Sequence, residues 1–311
     1  MIIIDTARPE ARHEPVVLLF GVGLIGHSIL DELQHRRPVA VTVMPYDWSD
    51  SSQRKLQVQA IEERTSSIAR NGSAVRIVWS AGRAGFLSSV AETETELASF
   101  RDVLALAERL TQNTHTQMSF HVISSAGGLF EGQRHVAADA VPAPMRPYGV
   151  LKMREEELVR NSTNLSSHRI YRLSSAYGYI RTGTRAGLVA KLISDGLRRS
   201  VTHMNGTMRT LRDFVFACDI GAYIAEQLLD PDVMASDVSL LVRARPCSLL
   251  EVQQMIEEVM GRKLYVTYVA EAVNSADITF SSDACPARWS PSDLRANIGR
   301  IYRAALSSSW S

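Results

Sequence analysis

The apolar run Val16-Val17-Leu18-Leu19-Phe20 passes directly into Gly21-Val22-Gly23-Leu24-Ile25-Gly26, and nothing else in this chain constrains its fold as much. The run reads as a buried strand, and a helical pattern from Ile25 to Arg36 follows the turn at once. Glycines spaced GxGxxG at such a junction permit a tight turn. They also let backbone N–H groups approach a pyrophosphate and let the helix pack close to the sheet. The helix N-terminus adds a favourable potential for phosphate. The junction therefore predicts a dinucleotide site formed by Gly21, Gly23 and Gly26 with Leu24 and Ile25 between them.

The same alternation continues along the chain. Strand patterns are expected at Val16 to Phe20, Val39 to Met44, Val75 to Trp79, Ser119 to Ser124 and Arg169 to Ser174. Helical patterns are expected at Ile25 to Arg36, Leu56 to Arg70, Thr93 to Leu110 and Tyr148 to Arg160. Strand then helix, repeated, is the form of βαβ units, so the chain is α/β with a doubly wound parallel sheet. After Tyr179 the texture changes. A helix is expected around Leu188 to Arg198, a turn at Asn205-Gly206, helices at Leu249 to Met260 and Ser292 to Leu306, and a short strand at Leu264 to Val269. This divides the chain into a dinucleotide-binding domain over 1–178, joined by a returning segment near 213–243, and a smaller lobe over 179–311.

Composition excludes several classes. Of 311 residues 45% are hydrophobic, enough for a sizeable core and far from a disordered composition. Lys+Arg 34 against Asp+Glu 33, interspersed along the chain, leave no basic footprint for nucleic acid. No apolar stretch approaches the ~18 residues of a membrane span, and the opening MIIIDTARPEARHEP lacks the basic end and apolar run of a signal peptide. Cys218, Cys247 and Cys285 are an odd, scattered set that suits neither a disulfide framework nor a zinc site. A cytoplasmic protein without a metal is the expectation.

Three further places carry chemistry. Asp47 follows the second expected strand and reads either as the acid for an adenosine ribose or as a solvated loop acid. No arginine follows immediately to favour a 2′-phosphate, which favours NAD, but Arg54 and Lys55 lie further along and leave NADP open. Tyr148 and Lys152, four apart at a helix start, project from one face. An ammonium beside a phenol favours phenolate and makes Tyr148 a usable acid/base near neutral pH. Upstream, the strand Phe120 to Ile123 ends in Ser124-Ser125-Ala126-Gly127-Gly128, at the carboxyl edge where open α/β sheets bind ligands.

Taken together, the glycine turn, Ala81-Gly82, the Ser124-Ser125 edge, Tyr148 with Lys152, Arg172-Leu173-Ser174-Ser175-Ala176-Tyr177-Gly178 and Arg212-Asp213-Phe214-Val215-Phe216 resemble the extended short-chain dehydrogenase/reductase family, in particular its NAD-dependent nucleotide-sugar epimerases and dehydratases. The resemblance implies a Rossmann domain with a C-terminal substrate-binding lobe. It implies NAD held by Gly21, Gly23, Gly26, Ala81 and Gly82, with Lys152 on the nicotinamide ribose. Tyr148 becomes the acid/base, with Ser124 and Ser125 near the reacting oxygen. Ser125, Ala126 and Ser175 fall at substrate positions, Ser175 where relatives commonly carry asparagine, and Arg212 matches an arginine that reaches the nucleotide diphosphate. Relatives pair as homodimers through the helices that are here Thr93 to Leu110 and Tyr148 to Arg160, where Leu104, Leu106, Val150, Met153 and Leu158 supply apolar surface.

The departures matter as well. Phe20 stands where most relatives have a first glycine, and Ala126 stands at a usual Ser/Thr position, so Ser125 either substitutes for that hydroxyl or the enzyme is unusual. The Asp-Glu pair of sugar 4,6-dehydratases is replaced by glycine and alanine or by two glycines, which disfavours dehydration. The expected activity is C4 epimerisation of a nucleotide sugar through a transient 4-keto sugar. A nucleotide-keto-sugar reductase using NAD(P)H and a non-catalytic dinucleotide-binding sensor are the alternatives.

Overall fold

The computed structural model describes residues 1–6, 14–69, 74–114, 117–230 and 235–308. In chain order the elements begin with β1 (Ile2–Asp5), β2 (Val16–Phe20), α1 (Leu24–Arg36), β3 (Ala40–Val43), α2 (Ser51–Ile68), β4 (Val75–Trp79), α3 (Val90–Thr114), β5 (Met118–Ser125), α4 (Ala126–Leu129), α5 (Pro147–Arg160) and β6 (Ser167–Leu173). They continue with β7 (Ser175–Tyr177), α6 (Gly187–Arg198), β8 (Val201–Asn205), β9 (Leu211–Arg212), β10 (Phe214–Phe216), α7 (Ala217–Leu229), β11 (Asp237–Leu241), β12 (Cys247–Ser248), α8 (Leu249–Met260), β13 (Tyr265–Val269), α9 (Ala272–Ser275) and α10 (Leu294–Ser308). Two compact units result. One comprises 1–129, 144–172 and 221–239, the other 130–143, 173–220 and 240–311. The chain thus crosses between them more often than a single returning segment requires. Residues 130–143 join the second unit through bonds such as Val136 N–H to the Thr279 carbonyl.

The first unit is a Rossmann-type α/β layer on a seven-stranded sheet ordered β11-β6-β5-β4-β2-β1-β3. β2, β4 and β5 are parallel and level, with Phe20 opposite Trp79 and Trp79 opposite Val122. Every residue of β2 and β4 is buried, as strands covered on both faces require. The chain leaves β2 and β4 at Gly21 and Ser80, and β5 runs past that level to Ser125 before leaving at Ala126 on the same carboxyl edge of the sheet.

The first strand is a surprise. Ile2–Asp5 enters the sheet antiparallel between β2 and β3, pairing Ile2 with Leu19 on one side and with Val43 on the other. Three β-branched residues in a row favour a strand, and Ile3 and Ile4 are fully buried. The acid-bearing β3 therefore lies two strand spacings from the glycine-turn strand, about 10 Å, instead of the single spacing of about 5 Å expected of neighbours.

Helix boundaries follow caps more closely than periodicity. α2 starts at Ser51 rather than at Leu56 because Asp50 accepts the N–H groups of Ser52 and Gln53. Arg70, its expected end, lies outside the described residues. α3 extends the expected Thr93 to Leu110 at both ends. Leu104 and Leu106 belong to the buried core of this unit, Leu158 packs against it, and Val150 remains exposed.

In the second unit, α6, α8 and α10 enclose a core that includes Leu192, Ile193, Val252, Ile256, Ile298 and Ile301. α8 opens with a Ser248/Glu251 capping box and ends on Gly261 in the left-handed region. β8, not foreseen from sequence, pairs in parallel with β13. It ends at Gly206, whose φ of +128° suits the Asn205-Gly206 turn.

If β1 is integral to the sheet, Ile3→Ala removes a fully buried side chain from its centre. A loss of about 2–5 kcal/mol is expected in urea unfolding. A loss below about 1 kcal/mol would mean that the strand is dispensable.

Candidate active site

The glycine turn is shaped by close backbone contacts. Gly21 has φ +93°, and a side chain there would begin 2.4 Å from the backbone of Ala81. A side chain on Gly26 would begin 2.0 Å from the Gly21 carbonyl oxygen, so only glycine lets α1 settle against the turn. Gly23 differs. It faces open space, and α1 starts at that residue without a side-chain cap. The N–H groups of the first helical turn, contributed in part by Leu24 and Ile25, are therefore offered to an anion.

Along the same sheet edge, Tyr148 and Lys152 lie on the first turns of α5, which begins with Pro147 at a position suited to proline. α5 approaches the end of β5 through two glycines. A side chain on Gly149 would begin 2.1 Å from the Gly128 carbonyl, and one on Gly128 would begin 3.0 Å from the Tyr148 ring. The phenol ring thus lies on Gly128. Ser125, beside it, accepts the Gly128 N–H through its hydroxyl at 3.0 Å, and its own proton stays available to donate. Phe86, from the loop after β4, meets the Tyr148 ring edge-on with centroids 5.8 Å apart, and Arg146 stacks over Phe86 at 5.0 Å.

The Lys152 ammonium stands 5.9 Å from the centroid of the Tyr148 ring. Lys152 is only 4% exposed. It donates to Glu155 Oε2 at 2.8 Å and to Glu96 Oε1 at 3.4 Å, which uses two of its three N–H groups. Glu155 is held from its other oxygen by the Trp79 indole N–H at 3.1 Å. Glu96 is held by the Ala84 N–H at 3.0 Å, and its carboxylate lies against Gly82. Burial pulls Lys152 toward a lower pKa, but Glu155 and Glu96 outweigh it and hold the ammonium well above the ordinary lysine value. Glu155 moves up from 4.5 to about 7, chiefly because it is buried, with Lys152 opposing and Glu96 reinforcing that rise.

Other residues singled out in the sequence have different partners. The Ser124 hydroxyl donates to Glu156 at 2.6 Å, and Glu156 also receives the Arg172 guanidinium at 3.0 and 2.8 Å in a buried network. Ala126 is fully buried. Asp47 accepts the N–H groups of Ser49 and Asp50, each at 2.8 Å, which holds its carboxyl below the ordinary value and commits one oxygen to its own loop. β1 separates β3 from β2, but the loop that carries Asp47 returns to the glycine-turn strand, where Tyr46 meets Phe20 edge-on with ring centroids 5.2 Å apart. In the second unit, Ser175 opens β7, its N–H bonded to the Asp213 carbonyl. The Arg212 guanidinium donates to the carbonyls of Leu211, Asn274 and Ala276.

A family model for the NAD dependent epimerase/dehydratase family matches residues 17–237. The chain belongs to this family. A search of curated protein sequences gives no match. Among solved structures it is similar to MoeE5 in complex with UDP-glucose and NAD, at 18% identity over 95% of this chain and 99% of that one, with a TM-score of 0.74. The UDP-glucose 4-epimerase of Thermus thermophilus in complex with NAD gives 18% identity, 93% and 99% coverage and a TM-score of 0.74. The ADP-L-glycero-D-manno-heptose-6-epimerase of Helicobacter pylori gives 16%, 96% and 97%, and 0.72. At these identities the likeness establishes the fold.

For an epimerase/dehydratase family member, the open face at Gly23 beside the uncapped start of α1 fits a dinucleotide pyrophosphate. Three residues of this arrangement were not foreseen: Phe86, Glu96 and Glu155. Glu155 had a signal, since it lies three residues after Lys152 and seven after Tyr148, on the same helical face. Glu96 and Phe86 had none, because the chain brings them in from separate segments. Among the described residues no cluster of side chains suited to a metal is found, and no helix is long and apolar enough to cross a membrane.

A carboxyl whose folded pKa is raised binds protons more tightly folded than unfolded, so its contribution to stability is lost as pH rises from about 4.5 to about 7. Glu155→Gln should remove that loss. Its melting temperature, relative to the parent, is expected to improve between about pH 4.5 and about pH 7 and to level off above that. A difference that stays constant across this range would show that Glu155 does not titrate there.

Proposed function

We propose that this chain is an NAD-dependent nucleotide-sugar epimerase that inverts C4 through a transient 4-keto sugar. The observation that carries the reading is the meeting of Tyr148, Lys152 and Ser125 at the sheet edge that also bears the open glycine turn. Accepting a hydride from C4 and returning it is the chemistry that NAD supplies when bound. Gly21, Gly23 and Gly26 would hold its pyrophosphate, and Lys152 its nicotinamide ribose.

Tyr148 as phenolate takes the proton of the C4 hydroxyl while the C4 hydride leaves. Ser125 donates to the same oxygen and steadies it as it becomes a carbonyl. When the sugar presents its opposite face, hydride returns to C4 and Tyr148 gives the proton back, so the cofactor is unchanged over the cycle. Arg212 is assigned to the nucleotide diphosphate on its place in the Arg212-Asp213-Phe214-Val215-Phe216 run. Asp47, with one carboxylate oxygen engaged in its own loop, is assigned to the adenosine ribose through the other. A cytoplasmic location accords with Cys218, Cys247 and Cys285 being free thiols. A homodimer through α3 and α5 is supported by the exposed Val90, Met145 and Val150, and sedimentation showing only monomer at micromolar concentration would remove it.

The test is incubation with UDP-hexoses and NAD, following both epimers by chromatography and NADH by absorbance. Interconversion without net NADH is expected. Consumption of one NADH per keto-sugar converted would replace the epimerase by a reductase. Tyr148→Phe should lower turnover by on the order of a hundredfold or more with substrate binding retained, as befits loss of a general acid/base. Gly23→Val should fold, because the position faces open space, and should lose NAD binding in calorimetry.

A further inference from the structure

The acid/base reading uses Lys152 as a lone cation, but the structure surrounds that cation with two acids. We propose that Glu155 and Glu96 are positioning residues that fix the Lys152 ammonium beneath the Tyr148 ring and, by offsetting its charge, set how readily the Tyr148 phenol ionises. This rests on the reading of Tyr148 as the acid/base.

Three observations carry it. The bonds form one continuous chain: the Trp79 indole holds Glu155, Glu155 and Glu96 hold Lys152, and the Ala84 N–H holds Glu96. Each link comes from a different support, namely β4, α5, α3 and the loop after β4, so the ammonium is braced from several directions. The cluster is also secluded. The Lys152 and Glu96 side chains are 5% and 9% exposed and that of Glu155 is 0% exposed, and between groups so poorly solvated charge acts strongly. Finally, the charges do not cancel. The groups facing Glu155 are Lys152 on its own helix, Glu96 from α3 and the neutral Trp79 indole from β4, and Lys152 in turn faces the Tyr148 ring. With both acids ionised, one positive charge faces two negative ones. A phenol beside this cluster gains less from Lys152 than it would from an unaccompanied lysine.

The sign of the effect is fixed by charge. Wherever Glu155 is ionised, its negative charge opposes formation of a phenolate beside it. Removing one of them by Glu155→Gln keeps an acceptor for the Trp79 indole but deletes a negative charge. The Tyr148 titration midpoint is then expected to fall by about one pH unit. Glu96→Gln should move it in the same direction. Glu155→Asp, which keeps the charge, should return it toward the parent value.

The experiment is carbon NMR of protein labelled at tyrosine Cζ, titrated without added ligand, with the Tyr148 resonance assigned by its absence in Tyr148→Phe. The acid limb of kcat/KM on a UDP-hexose supplies a second readout and should shift to lower pH in Glu155→Gln by the same amount. Unmoved midpoints and unmoved limbs in both glutamine variants, with native circular dichroism, would overturn the proposal. The two readings fail separately: the NMR titration tests the coupling without turnover, whereas loss of the acid/base reading shows as a Tyr148→Phe protein that still turns over UDP-hexose at the parent rate.

Discussion

Close backbone contact, allowed where a side chain is missing, sets the geometry on which the rest of this site depends. α1 reaches the end of β2 because Gly26 can press on the Gly21 carbonyl, and α5 reaches the end of β5 because Gly149 can press on the Gly128 carbonyl. In both places any Cβ would meet backbone, which cannot rotate away as a flexible side chain can. One contact creates the open, uncapped helix start at Gly23. The other lays the Tyr148 ring on Gly128 with the Ser125 hydroxyl nearby. The level register of β2, β4 and β5 puts both on one edge.

The inserted strand β1 changes what that edge can offer. In a sheet where the acid-bearing strand adjoins the glycine-turn strand, an acid at its end lies within reach of an adenosine ribose. Here Ile2–Asp5 takes the neighbouring place, and the chain after β3 folds inward instead. Tyr46 is buried with its hydroxyl on the Ser99 carbonyl, Trp48 packs edge-on against Trp79, and Asp47 closes its own turn. The segment nonetheless comes back to β2, since Tyr46 packs edge-on against Phe20.

Most of the first unit was legible in the sequence because its signals are local. A buried parallel strand reads as a continuous apolar run, so β2 and β4 emerge with their observed bounds, and the glycine turn and the Tyr148/Lys152 spacing lie within a few residues of those signals. β1 was missed for a different reason. Met1 to Asp5 was weighed only as a leader, and three isoleucines in a row say nothing of which strands they will lie between. Glu96 and Phe86 were invisible because their relation to Lys152 and Tyr148 exists only after distant segments pack. Leu104 and Leu106 are apolar for the core's sake, and sequence periodicity does not separate a core face from an interface.

Glu155 and Glu156 are neighbours in sequence and serve two separate networks, because successive helical residues point about 100° apart. Glu156 turns toward β6 and β5, where it receives Arg172 through two bonds, Arg160 at 2.7 Å and the Ser124 hydroxyl. Of these two guanidiniums, that of Arg160 reaches solvent. Glu155 turns toward β4 and α3, where two carboxylates share one ammonium and the surplus is negative. Burying unbalanced charge is costly unless the hydrogen bonds are well formed. Both clusters tie α5 to the sheet by hydrogen bonds, to β4 through Trp79 and to β6 through Arg172. The helix that presents Tyr148 is held by charged groups on two of its sides, and the cluster nearer the phenol holds the carboxyl whose titration is raised toward neutral pH.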